Sequence, residues 1–384
     1  MDILNTDSLL TEEEKILKKS AKKFVEKDIL PDIAKHFNTG TFPEELPKLL
    51  GKNGYLGSFI PEEYGGGGSS YTNYGIICEQ LEYGDSGVRS FCSVQSSLVM
   101  FPIWKYGTEE QKKKWLPLLA KGEKIGCFGL TEPDFGSNPA GMLSNAKKDK
   151  NHYILNGTKR WITNADIADI CVVWAKDEDS KVCGFLIEKD TPGLKQIEIK
   201  NKFSLRASHT GELVMENCKI PLENKLPNAN GLKAPLLCLD SARFGIIWGS
   251  IGAASACYES ALSYAKQRTQ FSKPIAAYQL VQKKLVEMIT EIEKAKLLAI
   301  QVSRQRDLGK GKFTQVSMGK MNNVSIALDI ARNARDILGA NGISTEYPVI
   351  RHMLNLESVN TYEGTEDIHR LIIGKEITGH SAFE

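Results

Sequence analysis

Apolar residues return every three or four positions through the first 120 residues. Leu17, Ala21, Phe24, Val25 and Ile29 share one face of a helix opened by Thr11-Glu12-Glu13-Glu14, a capping box. Pro31 is expected to end or kink that helix. The same period predicts helices over residues 42–53, 71–83, 90–106 and 109–120, the third with Val94, Leu98 and Phe101 on a buried face and Pro102 as its kink or end. Four glycines, 65 to 68, make the stretch after Pro61 a loop.

From residue 126 the period shortens. Residues 153–162 alternate as a strand, and Asn156-Gly157 within them is the strongest short hairpin signal. Further short runs fall at 170–175, 184–188, 194–199 and 212–215, with Pro192-Gly193 as a second turn. Such spacing predicts a small antiparallel sandwich or barrel between helical parts. After Pro227 the helical period returns over 236–267, 274–307, 313–338 and 368–378. Gly245, Gly249, Gly252, Ala253 and Ala256 form a small-residue stripe on the first of these, which predicts close packing against another helix. The fold class is α+β, mainly α. Residues 1–125 are read as a helical domain, 126–232 as a strand domain and 233–384 as a helical bundle.

Composition narrows the function classes. A net charge of +2 from 49 basic and 47 acidic residues argues against nucleic acid as the main partner. Eight scattered cysteines, without a Cys/His spacing suited to zinc, read as reduced and buried thiols, and no metal is expected. No targeting segment and no apolar run of about 20 residues stand out, so no membrane partner is expected. The expected compartment is the cytoplasm, or the mitochondrial matrix for a processed eukaryotic chain.

Four stretches carry candidate chemistry. Residues 128–137, Phe-Gly-Leu-Thr-Glu-Pro-Asp-Phe-Gly-Ser, offer hydroxyls and backbone donors able to cradle a phosphate or a heteroaromatic ring. Trp161-Ile162-Thr163-Asn164 ends a strand with an aromatic and two hydrogen-bonding side chains. Residues 336–342 end a helix with exposed backbone groups, suited to a nucleotide or to a plain C-cap. Thr361-Tyr362-Glu363-Gly364-Thr365-Glu366-Asp367 reads locally as a helix junction, with Thr365 as N-cap and two acids in the first turn. Taken singly, each reads more readily as scaffold than as a site.

Together and in order, Leu130-Thr131-Glu132-Pro133, Trp161-Ile162-Thr163, Arg268-Thr269-Gln270-Phe271, Asp336-Ile337-Leu338-Gly339 and Tyr362-Glu363-Gly364-Thr365 resemble the acyl-CoA dehydrogenase family over almost the whole chain. The resemblance implies a helical domain, a middle β-barrel domain and a C-terminal four-helix bundle domain. It also implies FAD, a homotetramer, an acyl-CoA substrate and an electron-transfer flavoprotein as partner. Within the family, Arg89-Ser90 followed by 93–100, Ser-Val-Gln-Ser-Ser-Leu-Val-Met, is most similar to the branch that acts on glutaryl-CoA. There Arg89 would grip the distal carboxylate bidentately, against the plainer reading of a surface arginine. Glu82 and Tyr362 match the decarboxylating type, while Val88 departs from the tyrosine usual in close relatives.

By the same resemblance Glu363 is the base that removes the α proton. Its main-chain N–H and a ribityl hydroxyl would receive the developing enolate charge. Ser90, Ser137, Asp240, Arg243 and Gly364 join Arg89, Glu82 and Tyr362 as substrate-side positions. Phe128, Leu130, Thr131, Gly136, Ser137, Trp161, Ile162, Thr163, Arg268, Gln279, Asp336, Leu338, Gly339, Ala340, Thr365, Glu366, Asp367 and Phe383 match FAD-contacting positions, and Phe271 the FAD of a neighbouring subunit. The implied reaction is oxidative decarboxylation of glutaryl-CoA to crotonyl-CoA and CO₂. The alternatives are a short-chain dehydrogenase for monocarboxylic acyl-CoA, a non-decarboxylating glutaryl-CoA enzyme, an acyl-CoA oxidase, or an assembly protein without cofactor.

Overall fold

A computed structural model describes residues 2–383. The expected capping box opens α1 (Glu12–Phe24): Glu14 N donates to Thr11 Oγ1, and Thr11 N to the Glu14 carboxylate. Pro31 does not end the helix. The chain widens through a π turn at Val25–Ile29 and continues as α2 (Leu30–Thr39), with Pro31 in the first turn, where a missing N–H is tolerated. After α3 (Leu46–Lys52) come α4 (Tyr71–Gly84), α5 (Ser86–Ser93), α6 (Phe101–Tyr106) and α7 (Glu109–Ala120). A second π turn, Val94–Met100, joins α5 to α6, so the helix expected over 90–106 is interrupted there and not at Pro102.

The middle part is one seven-stranded sheet: β1 (Gly126–Gly129), β2 (Asn145–Asp149), β3 (His152–Thr163), β4 (Ile170–Lys176), β5 (Val182–Glu188), β6 (Leu194–Glu198) and β7 (Thr210–Pro221). The series β2-β3-β7-β6 is antiparallel, as is β4-β5. β1 and the start of β2 run parallel to β4, so the sheet is mixed and not purely antiparallel as the strand pattern predicted. Asn156-Gly157 is not a hairpin turn. β3 runs straight through it, because both flanks pair with β7 and not with each other, and the dipeptide becomes a bulge between Leu155 and Gly157. Gly157, at φ 142°, is needed there, since a Cβ would lie 2.2 Å from Ser144 Oγ. Pro192-Gly193 does turn the chain, with Gly193 at φ 89°.

The last part comprises α8 (Lys233–Gln267), the two-stranded pair β8 (Thr269–Gln270) and β9 (Lys273–Pro274), α9 (Gln279–Asp307), α10 (Phe313–Ile337), α11 (Val349–Thr361) and α12 (Glu366–Thr378). The small-residue stripe of α8 packs against α4: a Cβ on Gly252 would lie 1.9 Å from the Glu79 carbonyl oxygen. Contrary to the expectation that no apolar run is long enough, α8 is long and apolar enough to cross a bilayer, yet 78% of its most apolar window is buried. One apolar core runs from Phe59 and Tyr74 through Phe244 and Trp248 to Ile292 and Leu328. A second holds Phe24, Tyr55 and Phe91 under the first helices, and a third covers the other sheet face around Leu155, Phe185 and Leu213. All eight cysteines are free and buried, as expected.

Candidate active site

The junction between α11 and α12 follows its local grammar. Ile368 N donates to Thr365 Oγ1 at 3.3 Å, capping α12, and Glu366 and Asp367 pair with Arg370 in the first turn. Between the helices the backbone is unusual. Glu363 has φ 54° and Gly364 φ 96°. A left-handed non-glycine residue costs about 1–3 kcal/mol and must be held by its surroundings. Arg243 Nε donates to the Glu363 carbonyl at 2.6 Å, and Lys320 Nζ donates to the carbonyls of Tyr362 and Gly364 at 2.5 Å each.

Arg89 reaches this junction from α5. Asp85 caps α5 through Gly87 N at 2.7 Å and also accepts from Arg351 at 2.5 Å and Asn355 at 3.0 Å, both on α11. One buried carboxylate therefore ties the helix carrying Arg89 to the helix that ends at Tyr362. Arg89 is fully buried, which overturns the surface reading. Its Nε lies 2.5 Å from Glu82 Oε2, and its Nη2 donates to the Tyr362 hydroxyl. Arg89 Nη1 and Glu82 Oε1 remain buried without a partner. Ser90 is buried beside Arg89, whereas Val88 turns into the N-terminal core with Phe91 and Ala207.

The charges around Glu363 are unevenly matched. Burial raises its carboxyl above the usual range, and Arg89, Lys320 and Arg243 pull it partly back. Its Oε2 is buried and unpartnered, and its main-chain N–H makes no hydrogen bond among the described residues. Burial lowers Lys320 to about 7 and, with Lys320 and Arg243 nearby, His369 to about 3, so His369 is neutral. Asp240 pairs with Arg306 at 2.8 Å, and Arg306 lies 4.3 Å from the ring centre of Tyr71. Ser137, expected on the substrate side, lies on an exposed loop.

Apart from Thr365, Glu366 and Asp367 at the α11–α12 junction, the residues matched to cofactor contacts fall into two groups. Arg160 N donates to the Thr131 carbonyl at 2.9 Å, and Lys159 Nζ to the Leu130 carbonyl at 3.1 Å, which brings 128–137 against Trp161-Ile162-Thr163. Phe128, Leu130 and Ile162 are buried beneath; Gly136 and Ser137 are exposed. Trp161 is 57% exposed at φ 62°. The second group gathers at one end of the bundle. Asp336 pairs with Lys284 of α9, Asn341 Nδ2 donates to Tyr264 Oη at 3.1 Å, and Gly339, Ala340, Arg268 and Gln279 are exposed there while Leu338 is buried. Phe271 is 89% exposed at φ 49°, and Phe383 is half exposed near the C-terminus. Among the described residues no hydrogen bond or ion pair joins the second group to the first.

Sequence reasoning missed Lys320, His369 and the Asp85–Arg351 pair. Lys320 carried a legible signal, since it lies on the α10 stripe that buries Val316, Asn323, Val324 and Ala327. Nothing local distinguishes His369.

Two helical parts around a mixed sheet, with a desolvated carboxylate at a helix junction and, elsewhere, an exposed loop held against the Trp161 strand, fit a flavin-dependent oxidoreductase. Three family profiles match in succession: the acyl-CoA dehydrogenase N-terminal domain at residues 11–123, the middle domain at 127–218 and the C-terminal domain at 229–378. The chain belongs to the acyl-CoA dehydrogenase family. It is similar to a solved glutaryl-CoA dehydrogenase from Mycobacterium smegmatis in complex with FADH2: 49% identity, TM-score 0.98, covering 100% of this chain and 98% of that one. The solved butyryl-CoA dehydrogenase of Megasphaera elsdenii matches at 34% identity and TM-score 0.92, over 96% of this chain and 98% of that one. The mitochondrial short-chain specific acyl-CoA dehydrogenase of Rattus norvegicus is 35% identical over 369 residues, 95% of this chain and 90% of that protein.

FAD is the family's cofactor, and the residues fit it. Among the described residues the hydroxyls of Thr131, Ser137 and Thr163 make no hydrogen bond, and a Cβ on Gly136 would meet nothing within 4 Å. Thr131, Ser137, Trp161 and Thr163 would hold the group. When bound, it supplies the hydride acceptor for a Cβ–H bond.

Proposed function

We propose that this acyl-CoA dehydrogenase takes glutaryl-CoA and releases crotonyl-CoA and CO₂. The observation that carries the reading is Arg89. It is fully buried, keeps its Nη1 amino group without a partner, and donates from Nη2 to the hydroxyl of Tyr362, the residue next to Glu363. Three cations, Arg89, Arg243 and Lys320, surround two carboxylates, Glu82 and Glu363, so the cluster carries a surplus of positive charge below about pH 7, where Lys320 keeps its proton. A dicarboxylic acyl tail satisfies the free N–H and the surplus; an alkyl tail satisfies neither.

In this reading Glu363 removes the proton next to the thioester carbonyl as the Cβ hydride leaves. The free N–H of Glu363 receives the charge that develops on the thioester oxygen. The carboxylate held by Arg89 then leaves as CO₂, the electrons of the broken C–C bond delocalise into a dienolate, and protonated Glu363 returns its proton. Arg89 is shared with Glu82, which keeps its grip on the substrate carboxylate from becoming too strong for departure.

A second reading, oxidation of a plain short-chain acyl-CoA, is favoured by the Arg89–Glu82 pair itself, which already neutralises the arginine. Product analysis with glutaryl-CoA and an artificial electron acceptor separates the possibilities. Crotonyl-CoA with CO₂ supports the proposal, glutaconyl-CoA refutes decarboxylation, and a strong preference for butyryl-CoA refutes the diacid. We also propose electron-transfer flavoprotein as acceptor and a homotetramer as the working form. The exposed Phe271, Leu280 and Val286 support association through the C-terminal helices. Fast turnover on oxygen alone would overturn the first, and a monomer by light scattering the second.

A further inference from the structure

Lys320 and Arg243 are the cations of the cluster that the proposed chemistry leaves without a step, and Lys320 is the more deeply buried of the two. Lys320 is 1% exposed and makes no ion pair among the described residues. Its hydrogen-bond partners are the carbonyls on either side of Glu363, those of Tyr362 and Gly364, at 2.5 Å each. A lysine that merely filled the bundle would be replaced at no loss by an apolar side chain of the same length, since burying an ammonium is unfavourable. Here the ammonium spans the two peptide units that bracket the strained residue.

We propose that Lys320 is the positioning residue of the Glu363 base, pinning the Tyr362-Glu363-Gly364 backbone in its left-handed bend and supplying the positive charge behind the carboxylate. The inference rests on Glu363 being the base. Two carbonyls fixed to one donor leave the Glu363 side chain little choice of direction, which keeps the carboxylate pointed at one place. The charge works by a separate route. Glu363 faces Arg89 from α5, Arg243 from α8 and Lys320 from α10, while Tyr362 on its own loop and His369 on α12 are uncharged. Lys320 is the member of the cation set whose proton is lightly held, at about 7, so its charge and that of Glu363 titrate together.

The test uses Lys320→Met, which removes charge and donor, and Lys320→Gln, which removes the charge but keeps a donor. Both are purified with flavin and assayed from about pH 5.5 to 9 with the acyl-CoA that the wild type oxidises fastest. The expected result is a kcat at least about tenfold lower in Lys320→Met, a smaller loss in Lys320→Gln, and KM within about threefold for both. The acid limb of kcat/KM should move up by about one pH unit in both variants, because a cation beside the base is gone. A packing role alone would leave that limb in place. Wild-type kcat and an unmoved limb in folded, flavin-containing variants would overturn the proposal, as would failure of both variants to fold, which would make Lys320 a residue of the fold. Glu363→Gln run in parallel separates the two layers. If it stays active, the base assignment fails; if it is dead while the Lys320 variants are normal, only the present inference fails.

Discussion

Arg89 and Tyr362 share a hydrogen bond although 273 residues separate them in the chain. That contact joins the element that would recognise the far end of a substrate to the element that would act at its thioester end. It also sets the phenol, whose proton burial holds firmly, against a guanidinium that Glu82 keeps charged.

Glu363→Gln should abolish dehydrogenation, by about 10²–10⁴-fold or more in kcat, while flavin absorbance persists. The amide keeps the shape and cannot take the α proton. Near-normal turnover in steady-state assays would refute the base assignment.

Arg89→Ala should weaken turnover of glutaryl-CoA far more than that of butyryl-CoA. It also strands buried Glu82, a loss of about 3–5 kcal/mol in urea unfolding. The double variant Arg89→Met, Glu82→Gln should recover most of that stability without recovering glutaryl-CoA turnover. Equal losses on both substrates would mean the arginine is structural.

Gly249→Ala reaches the same pair from α8. Its Cβ would lie 2.0 Å from Glu82 Oε2 and 3.0 Å from Arg89 Nε. The pair must shift, so kcat/KM for glutaryl-CoA should fall about tenfold or more, with about 1–3 kcal/mol lost to overpacking. Unchanged kinetics would show that the position of Arg89 does not matter.

His352 and His369 are fully buried and neutral: burial, with Arg351 beside the first and Lys320 and Arg243 beside the second, holds both below the ordinary value of 6.5. A base with a lowered folded pKa contributes stability that is complete above about 6.5 and lost as pH falls, down to about 3 for His369. Between pH 6 and 4, His369→Gln should therefore reduce the pH slope of stability by about 1.4 kcal/mol per unit. Parallel slopes in wild type and variant, from urea titrations across that range, would exclude this.

The hydrophobic period alone determined most of the helices, though not α11 or the break at Val94–Met100, and it determined the change to strands at residue 126 and the return to helices after Pro227, because amphipathic patterns report which face each element buries. The capping box at Thr11 and the N-cap at Thr365 were equally legible, being set by residues three apart. Asn156-Gly157 was misread because a turn propensity is local, while β7 pairs with both of its flanks and forces a bulge. The motifs named Glu363 and Arg89, but the plain readings of a helix junction and a surface arginine stood beside them. Only the tertiary structure decided that Arg89 is buried on Glu82 and Tyr362, and that Lys320 and Arg243 close on the peptide units around Glu363. Those facts depend on α5, α8 and α10 converging on one loop. No local window of sequence contains that convergence, because the free energy that sets it is spread over the packing of three helices.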